Sequence, residues 1–377
     1  MTRAGVLALL SALVLGAAAL LFGLPELFLV AAVCGGLIVL AGVTVSLRPP
    51  LRAACDPGRR RVPCGTPLQI QIRLRNVARR RAAAAADIFD DSSDRPGPVL
   101  RLGRMPSGAI VEDHYHLATH RRGWRETGPV WLEAEDAFGL ARRRHRLAPP
   151  GRVLVWPEIA DLAALPDTVE QATERRRNAR LVAGTATDFH SLRRFEPGDD
   201  PHRIHWPSST RYQELLVRRF ETVQQPETLL FLDTGQNAAT PETFERMVSA
   251  AAGLAVMASA ESGSVRLLTS SGAEVRATGP PTGVLDALAL VAQAPAGRGA
   301  ARLPVGAARM ILLAVVGGGV DHPDLALDRL DGRRIILSFW QDEPPEEHRD
   351  VLAVGPHESV VERWDAFRMV RDGTPAR

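Results

Sequence analysis

The chain of 377 residues has no lysine: all 46 of its basic side chains are arginines. A phosphate loop of the Gly-x-x-x-x-Gly-Lys-Ser/Thr type is therefore excluded, even where Gly317-Gly318-Gly319 would invite one. Those glycines read as a strand-to-helix turn. Charge of one sign is also lacking, since 43 acids leave a formal net charge of only +3. With abundant alanine, glycine and proline, the missing lysine reads as GC-rich coding, and no nucleic-acid partner is expected. Cysteine is scarce, with three in the chain. Cys34 falls in an apolar run, and Cys55 and Cys64 bracket a turn. Two thiols fall short of the four ligands of a zinc site, and no disulfide framework follows. A reducing compartment is compatible with this usage. Arginine runs at Arg59–Arg61, Arg79–Arg81 and Arg142–Arg144 read first as solvated loop and strand-edge side chains. Their second reading is proximity to anionic lipid.

Against these absences stand two long hydrophobic runs, about 5–24 and 27–47, inside a segment 1–50. About 20 apolar residues span a bilayer at a rise of ~1.5 Å each. Only Pro25 and Glu26 interrupt them, so a tight transmembrane helical hairpin is expected rather than a cleaved signal peptide near Ala17-Ala18-Ala19. Arg3 precedes the first run, and Arg48, Arg52 and Arg59–Arg61 follow the second. Arginine bias then places both termini in the cytoplasm of a multi-pass membrane protein.

Residues 51–150 read as a small β-sandwich-like domain. Leu68, Ile70, Ile72 and Leu74 alternate with polar residues, the period of a half-buried strand. Ala82–Ala86 fits a short helix or a loop. Residues 151–225 read as a bridge, with a strand at 153–156 and a helix-compatible stretch over 161–180. From 226 to 377 strands and helices alternate. The pattern predicts strands at 228–232, 265–269, 274–277, 310–316 and 334–339, and helices at 241–262, 282–293, 323–330 and 359–370. Such alternation implies a doubly wound α/β domain with a mostly parallel sheet.

The most distinctive segment runs from Gly184 to Glu221. It carries Gly184, Asp188, Phe189, Arg193, Phe195, Gly198, Asp199, Asp200, Arg203, Ile204, Trp206, Arg211, Phe220 and Glu221 in fixed order. This pattern resembles the signature of the bacterial "domain of unknown function 58" family. It departs from the family pattern at His205, where an acid or Asn is common, and at Pro207 and Thr210. A second stretch, Arg122 to Leu140, is similar to the family's Arg-Gly-aromatic strand and Asp-Pro-Phe-Gly-Leu turn, with Ala137 in place of the proline. It reads as a hairpin with a packed Phe138.

The resemblance implies a membrane-anchored protein with a von Willebrand A-like domain. It also implies partnership with a MoxR-type AAA+ ATPase and with other membrane proteins. The motif, the α/β pattern and a degenerate metal site together point to a non-enzymatic scaffold or interaction role. The arginines of the signature suit bidentate pairing with carboxylates. Arg193, Arg203 and Arg211 are thus candidates to lock onto Asp188, Asp199 and Glu221, and a docking surface is the other reading. His190, His202 and His205 do not form a persuasive zinc site, because Pro201 and Pro207 argue against a helix there.

The family's von Willebrand A-like fold places Asp-x-Ser-x-Ser at the end of the first α/β strand, where it holds a divalent cation. The corresponding residues are Asp233-Thr234-Gly235-Gln236-Asn237. Asp233 and Asn237 remain as ligands of a degenerate magnesium site, and Gly235 offers no side-chain oxygen. The alternative function is therefore a divalent-metal-dependent ligand binder or hydrolase at the strand-end crevice of Asp233.

Overall fold

The computed structural model describes residues 1–47, 50–80, 82–93, 96–164, 191–196, 204–219, 227–236, 239–294, 311–318, 334–342 and 350–371. The chain divides into two compact units, Met1–Glu158 and Ile159–Arg377.

Unit one opens with helices α1 (Arg3–Phe22) and α2 (Pro25–Ser46). Both are long and apolar enough to cross a membrane. The Thr2 hydroxyl caps α1 by accepting from the Gly5 amide at 3.0 Å, and Gly23 ends it in the left-handed region at φ 65°. Pro25 does not interrupt the second run. It occupies the first turn of α2, where its missing N–H costs nothing. The hairpin's open end rests on the β strands that follow. The Thr2 amide donates to the Leu140 carbonyl at 3.1 Å, and a Cβ at Gly5 would collide with that same carbonyl. At the end of α2, the Val45 carbonyl lies 2.9 Å from His145 Nε2.

The strands are β1 (Leu51–Asp56), β2 (Arg61–Pro63), β3 (Leu68–Asn76), β4 (Ala86–Asp90), β5 (Leu100–Leu102), β6 (Ile110–Leu117), β7 (Gly123–Thr127), β8 (Val130–Glu135), β9 (Arg142–Ala148) and β10 (Gly151–Trp156). They form three small sheets, β1-β3-β6, β2-β10-β7 and β5-β4-β8-β9. β3 follows the expected alternation, with Leu68, Ile70, Ile72 and Leu74 buried. These four share one core with Ile88, Leu117, Val130, Leu132 and Val153. Each such side chain contributes roughly 2 kcal/mol on leaving water. The strand β10, from the start of the expected bridge, pairs with β2 and β7 inside this unit. Residues 82–85 form the loop of the two alternatives, tied by an isolated antiparallel bridge between Ala83 and Met105.

A buried carboxylate closes the unit. Asp90 Oδ1 accepts from the Ser92 amide at 2.8 Å and from the Gly128 amide at 3.1 Å. Its Oδ2 accepts from the Tyr115 hydroxyl. Burial, and then the hydrogen bond to Asp90 and the Asp90 charge, raise the Tyr115 hydroxyl above its ordinary value of 10.0. Burial and the Asp90 charge push the Cys55 thiol up to about 11.

Unit two contains β11 (Ser191–Arg194), α3 (Trp206–Tyr212), β12 (Leu216–Arg219), β13 (Thr228–Leu232), α4 (Pro241–Ser262), β14 (Ser264–Thr269), β15 (Glu274–Thr278), α5 (Thr282–Leu290), β16 (Ile311–Gly317), β17 (Arg334–Phe339), β18 (Val351–Val354) and α6 (Val360–Arg371). Six strands form one sheet in the order β15-β14-β13-β16-β17-β18. All neighbours are parallel except β14 and β15. Every residue of β13 is buried, as a central parallel strand requires. β18 is a four-residue strand that the sequence reading did not single out. The helix expected at 323–330, and residues 165–180 of the other expected helix, lie outside the described residues. Trp364 of α6 is fully buried and donates from Nε1 to the Ala163 carbonyl at 2.8 Å.

Two outcomes follow. A Cβ at Gly253, in the middle of α4, would run into the Ala160 carbonyl. Alanine gains about 1 kcal/mol in helix propensity over glycine. Gly253→Ala is nevertheless expected to lower stability by about 1–3 kcal/mol, as overpacking does, and thermal unfolding of the full chain in detergent measures it. Tyr115→Phe removes a hydrogen bond to a charged group and should cost about 1.5–3 kcal/mol near neutral pH. Because the folded hydroxyl keeps its proton longer than the unfolded one, its stabilisation is present below pH ~10 and is lost as the pH rises further. The stability gap between Tyr115→Phe and the wild type should therefore narrow above pH ~10, as denaturant titrations across pH would record.

Candidate functional site

Two places in unit two are the candidates: the signature segment and the carboxyl end of β13.

The signature folds as an antiparallel pair, β11 against β12, with Arg193 opposite Val217 and Arg194 opposite Leu216. Between them the chain returns through α3. Pro207 lies in the first turn of α3, where proline is preorganised; the helix starts at Trp206, so His205 stands outside it, as expected, while His190 and His202 lie outside the described residues. His205 caps this helix. Its Nδ1 accepts from the Ser208 amide at 3.3 Å and lies 2.8 Å from the Ser208 hydroxyl. An acid or Asn at this position, as the family resemblance gives, is a common N-cap. The histidine therefore keeps the acceptor function with another side chain. Ser209 is buried and joins both ends of the loop. Its hydroxyl donates to the His205 carbonyl at 3.0 Å and accepts from the Leu216 amide at 2.9 Å. Gln213, at φ 56°, turns the chain out of the helix.

The side chains presented by this frame are exposed. Trp206 is 63% exposed, and Tyr212 and Leu215 are also exposed. Arg194 pairs with Glu214 at 2.7 Å on the surface. Arg211 is exposed, so the expectation that it is a buried partner of an acid is not met. α3 is only two turns long, and Arg211 sits in its last turn, where a cation also suits the helix dipole. Asp188, Phe189, Gly198, Asp199, Arg203 and Glu221 lie outside the described residues, as does Asn237. The backbone of Arg193 is in β11.

The second place is set by topology. The chain leaves β13 towards β14 on one side, and leaves β16 towards β17 on the other. Loops diverging in this way from neighbouring parallel strands define a switch point, where open α/β sheets place their ligands. Asp233 stands there, buried, and its amide donates to the Val315 carbonyl at 2.9 Å. Asp233 Oδ1 accepts from the Gly235 amide at 2.9 Å and from the Ser270 hydroxyl at 3.0 Å. Ser270 also accepts from the Thr234 amide at 2.8 Å. Gly235 bridges Ala294, closed by the Gln236 amide to Ala294 and the Ala294 amide to Thr234. One Asp233 oxygen is thus occupied in holding the loop together. No group of three or more His, Cys, Asp or Glu able to hold a metal occurs among the described residues. Ser270 had not been singled out; its place directly after an apolar strand was the available signal.

Residues 191–310 match the model of a family described as "Protein of unknown function DUF58". The matched stretch begins at β11 and takes in the signature frame, the Asp233 corner, α4 and α5. It bears out the family resemblance over those residues. No curated protein matches the chain.

His205→Ala should remove the cap and cost about 1 kcal/mol, while His205→Asn should stay close to wild type. Arg211→Ala should remain within ~0.5 kcal/mol of wild type, as exposed substitutions do. Thermal unfolding of the three variants in one buffer checks all three.

Proposed function

We propose that this protein is a membrane-anchored, non-enzymatic interaction protein of the DUF58 family. In this reading α1 and α2 cross the membrane and both termini are cytoplasmic. Unit two is von Willebrand A-like and carries the partner-binding surface. By family resemblance, the partner is a MoxR-type AAA+ ATPase, acting with other membrane proteins.

The observation that carries this reading is the contrast within the signature. Its backbone is held by the His205 cap, the Ser209 link and the β11–β12 ladder, yet it leaves Trp206, Tyr212 and Leu215 exposed. Aromatic side chains on a rigid frame are favoured anchors of protein interfaces, because little conformational freedom is lost when they are covered. The committed oxygen of Asp233 favours a structural role at the switch point over metal chemistry.

Trp206→Ser combined with Tyr212→Ser tests the proposal. The pair should abolish retention of the ATPase when the full chain is purified from detergent, with the unfolding temperature unchanged. Retention at wild-type strength by the folded variant would remove this surface from consideration. A reporter fused after Arg377 should give a cytoplasmic signal, and an external signal would overturn the proposed topology.

A further inference from the structure

At the open end of the helical hairpin lies a crevice of about 460 Å3 whose lining includes Arg3, Glu133, Arg142, Arg143 and Arg144. Four arginines and one carboxylate line it, and a second carboxylate, Glu135, lies 3.1 Å from Arg142 Nη2. Glu133 is only 11% exposed and braces two of them: its oxygens lie 3.0 Å from Arg142 Nη1 and 2.9 Å from Arg144 Nε. Arg144 is fixed further by the ring of Phe89, 4.8 Å from its guanidinium carbon. Arg143 donates to the Ser46 hydroxyl at 3.0 Å, at the last residue of α2. Arg3 is the first residue of α1. The arginines therefore gather at the level where the first apolar helix begins and the second ends.

The neighbouring turn points to the same level. Asp136 shapes it, accepting from the Phe138 amide at 2.9 Å and from the Ala141 amide at 2.6 Å. Thr2 grips it through the Gly139 and Leu140 carbonyls, its hydroxyl lying 2.5 and 3.0 Å away. Phe138 was expected to pack inside, but it is 63% exposed. The turn's own hydrogen bonds satisfy its backbone and leave the ring outward. An exposed aromatic side chain beside the ends of two membrane-compatible helices matches the interfacial position such rings favour. Arginine forks bind phosphate oxygens in pairs, which a lysine ammonium does not.

We propose that this crevice binds the phosphodiester headgroup of an anionic phospholipid, with Arg3 and Arg143 contacting the phosphate, Glu133 holding Arg142 and Arg144 in place, and Phe138 lying among the acyl-chain ends. The site rests on the membrane-anchored reading given above. Phosphate chemistry alone would also admit a free phosphate ion; the position beside both helix ends favours the lipid.

The test uses the full chain in nanodiscs of phosphatidylcholine, with or without phosphatidylglycerol. Incorporation into neutral nanodiscs comes first, and failure there would refute the anchor itself. With incorporation established, phosphatidylglycerol should raise the unfolding temperature, and native mass spectrometry should show it retained. Arg3→Gln with Arg143→Gln spares the Glu133 brace, and should weaken retention by about tenfold or more. Arg73→Gln with Arg152→Gln removes the same charge outside the crevice and should leave retention unchanged. Equal losses in the two double variants would reduce the effect to general surface charge and overturn the site. So would the absence of any phosphatidylglycerol effect on the wild type. Inorganic phosphate added to neutral nanodiscs should not reproduce the thermal shift, and full reproduction would overturn the lipid assignment.

Discussion

The first unit depends on one buried carboxylate. Asp90 ends β4, and its oxygens reach Ser92 of the following turn, Tyr115 of β6 and Gly128 of the turn into β8. A buried charge without donors would cost several kcal/mol, whereas one satisfied on both oxygens fixes the positions of everything that donates to it. β8 begins two residues after Gly128 and carries Glu133, and its partner β9 carries Arg142 and Arg144, which Glu133 and Glu135 organise. The placement of the basic face thus traces back to a carboxylate that touches none of it. Tyr115 keeps its proton because burial and Asp90 act in the same direction.

What was legible in the sequence follows from periodicity. The alternation in β3 and the unbroken run in β13 report how many faces of a strand are buried, and that is a local property. The two apolar runs were legible for the same reason. Pro207 argues against a helix holding His205, and His205 stands outside one; the helix that starts just after it was not legible, because proline forbids a helix interior but suits a first turn. Phe138 misled because hydrophobicity predicts burial on average, while a turn closed by Asp136 and Gly139 left the ring nothing to pack under. The link made by Ser209 had no sequence signal, because its two partners lie on opposite sides of it and meet only when β12 returns to α3.

The corner at Asp233 shows how a strand end is braced from within. The switch point is fixed by strand order, and strand order follows from which apolar runs become neighbours. The side chains at that point decide the chemistry. The chain after β13 bridges Ala294 at Gly235, and the Ser270 hydroxyl donates to Asp233 Oδ1. The acid is kept while one of its oxygens is turned inward as a brace for two loops. That oxygen holds the Gly235 amide and the Ser270 hydroxyl.

Arginine-only composition has a structural consequence of its own. A planar fork can meet a carboxylate and still present further N–H groups, so one arginine can be braced and available at once. In β9 this occurs twice around Glu133. Arg142 also reaches Glu135 at 3.1 Å, and Arg144 also stacks on Phe89. A lysine in either place would be a single point charge, its contact with Glu133 competing directly with any anion. The paired glutamate and arginines of β8 and β9 are therefore better understood as a preorganised anion-facing surface than as surface salt bridges. Exposed pairs of the latter kind contribute at most about 1 kcal/mol to stability. Their cost in ordering has been met in the folded chain before any ligand arrives, and that is the property a headgroup site at a membrane surface requires.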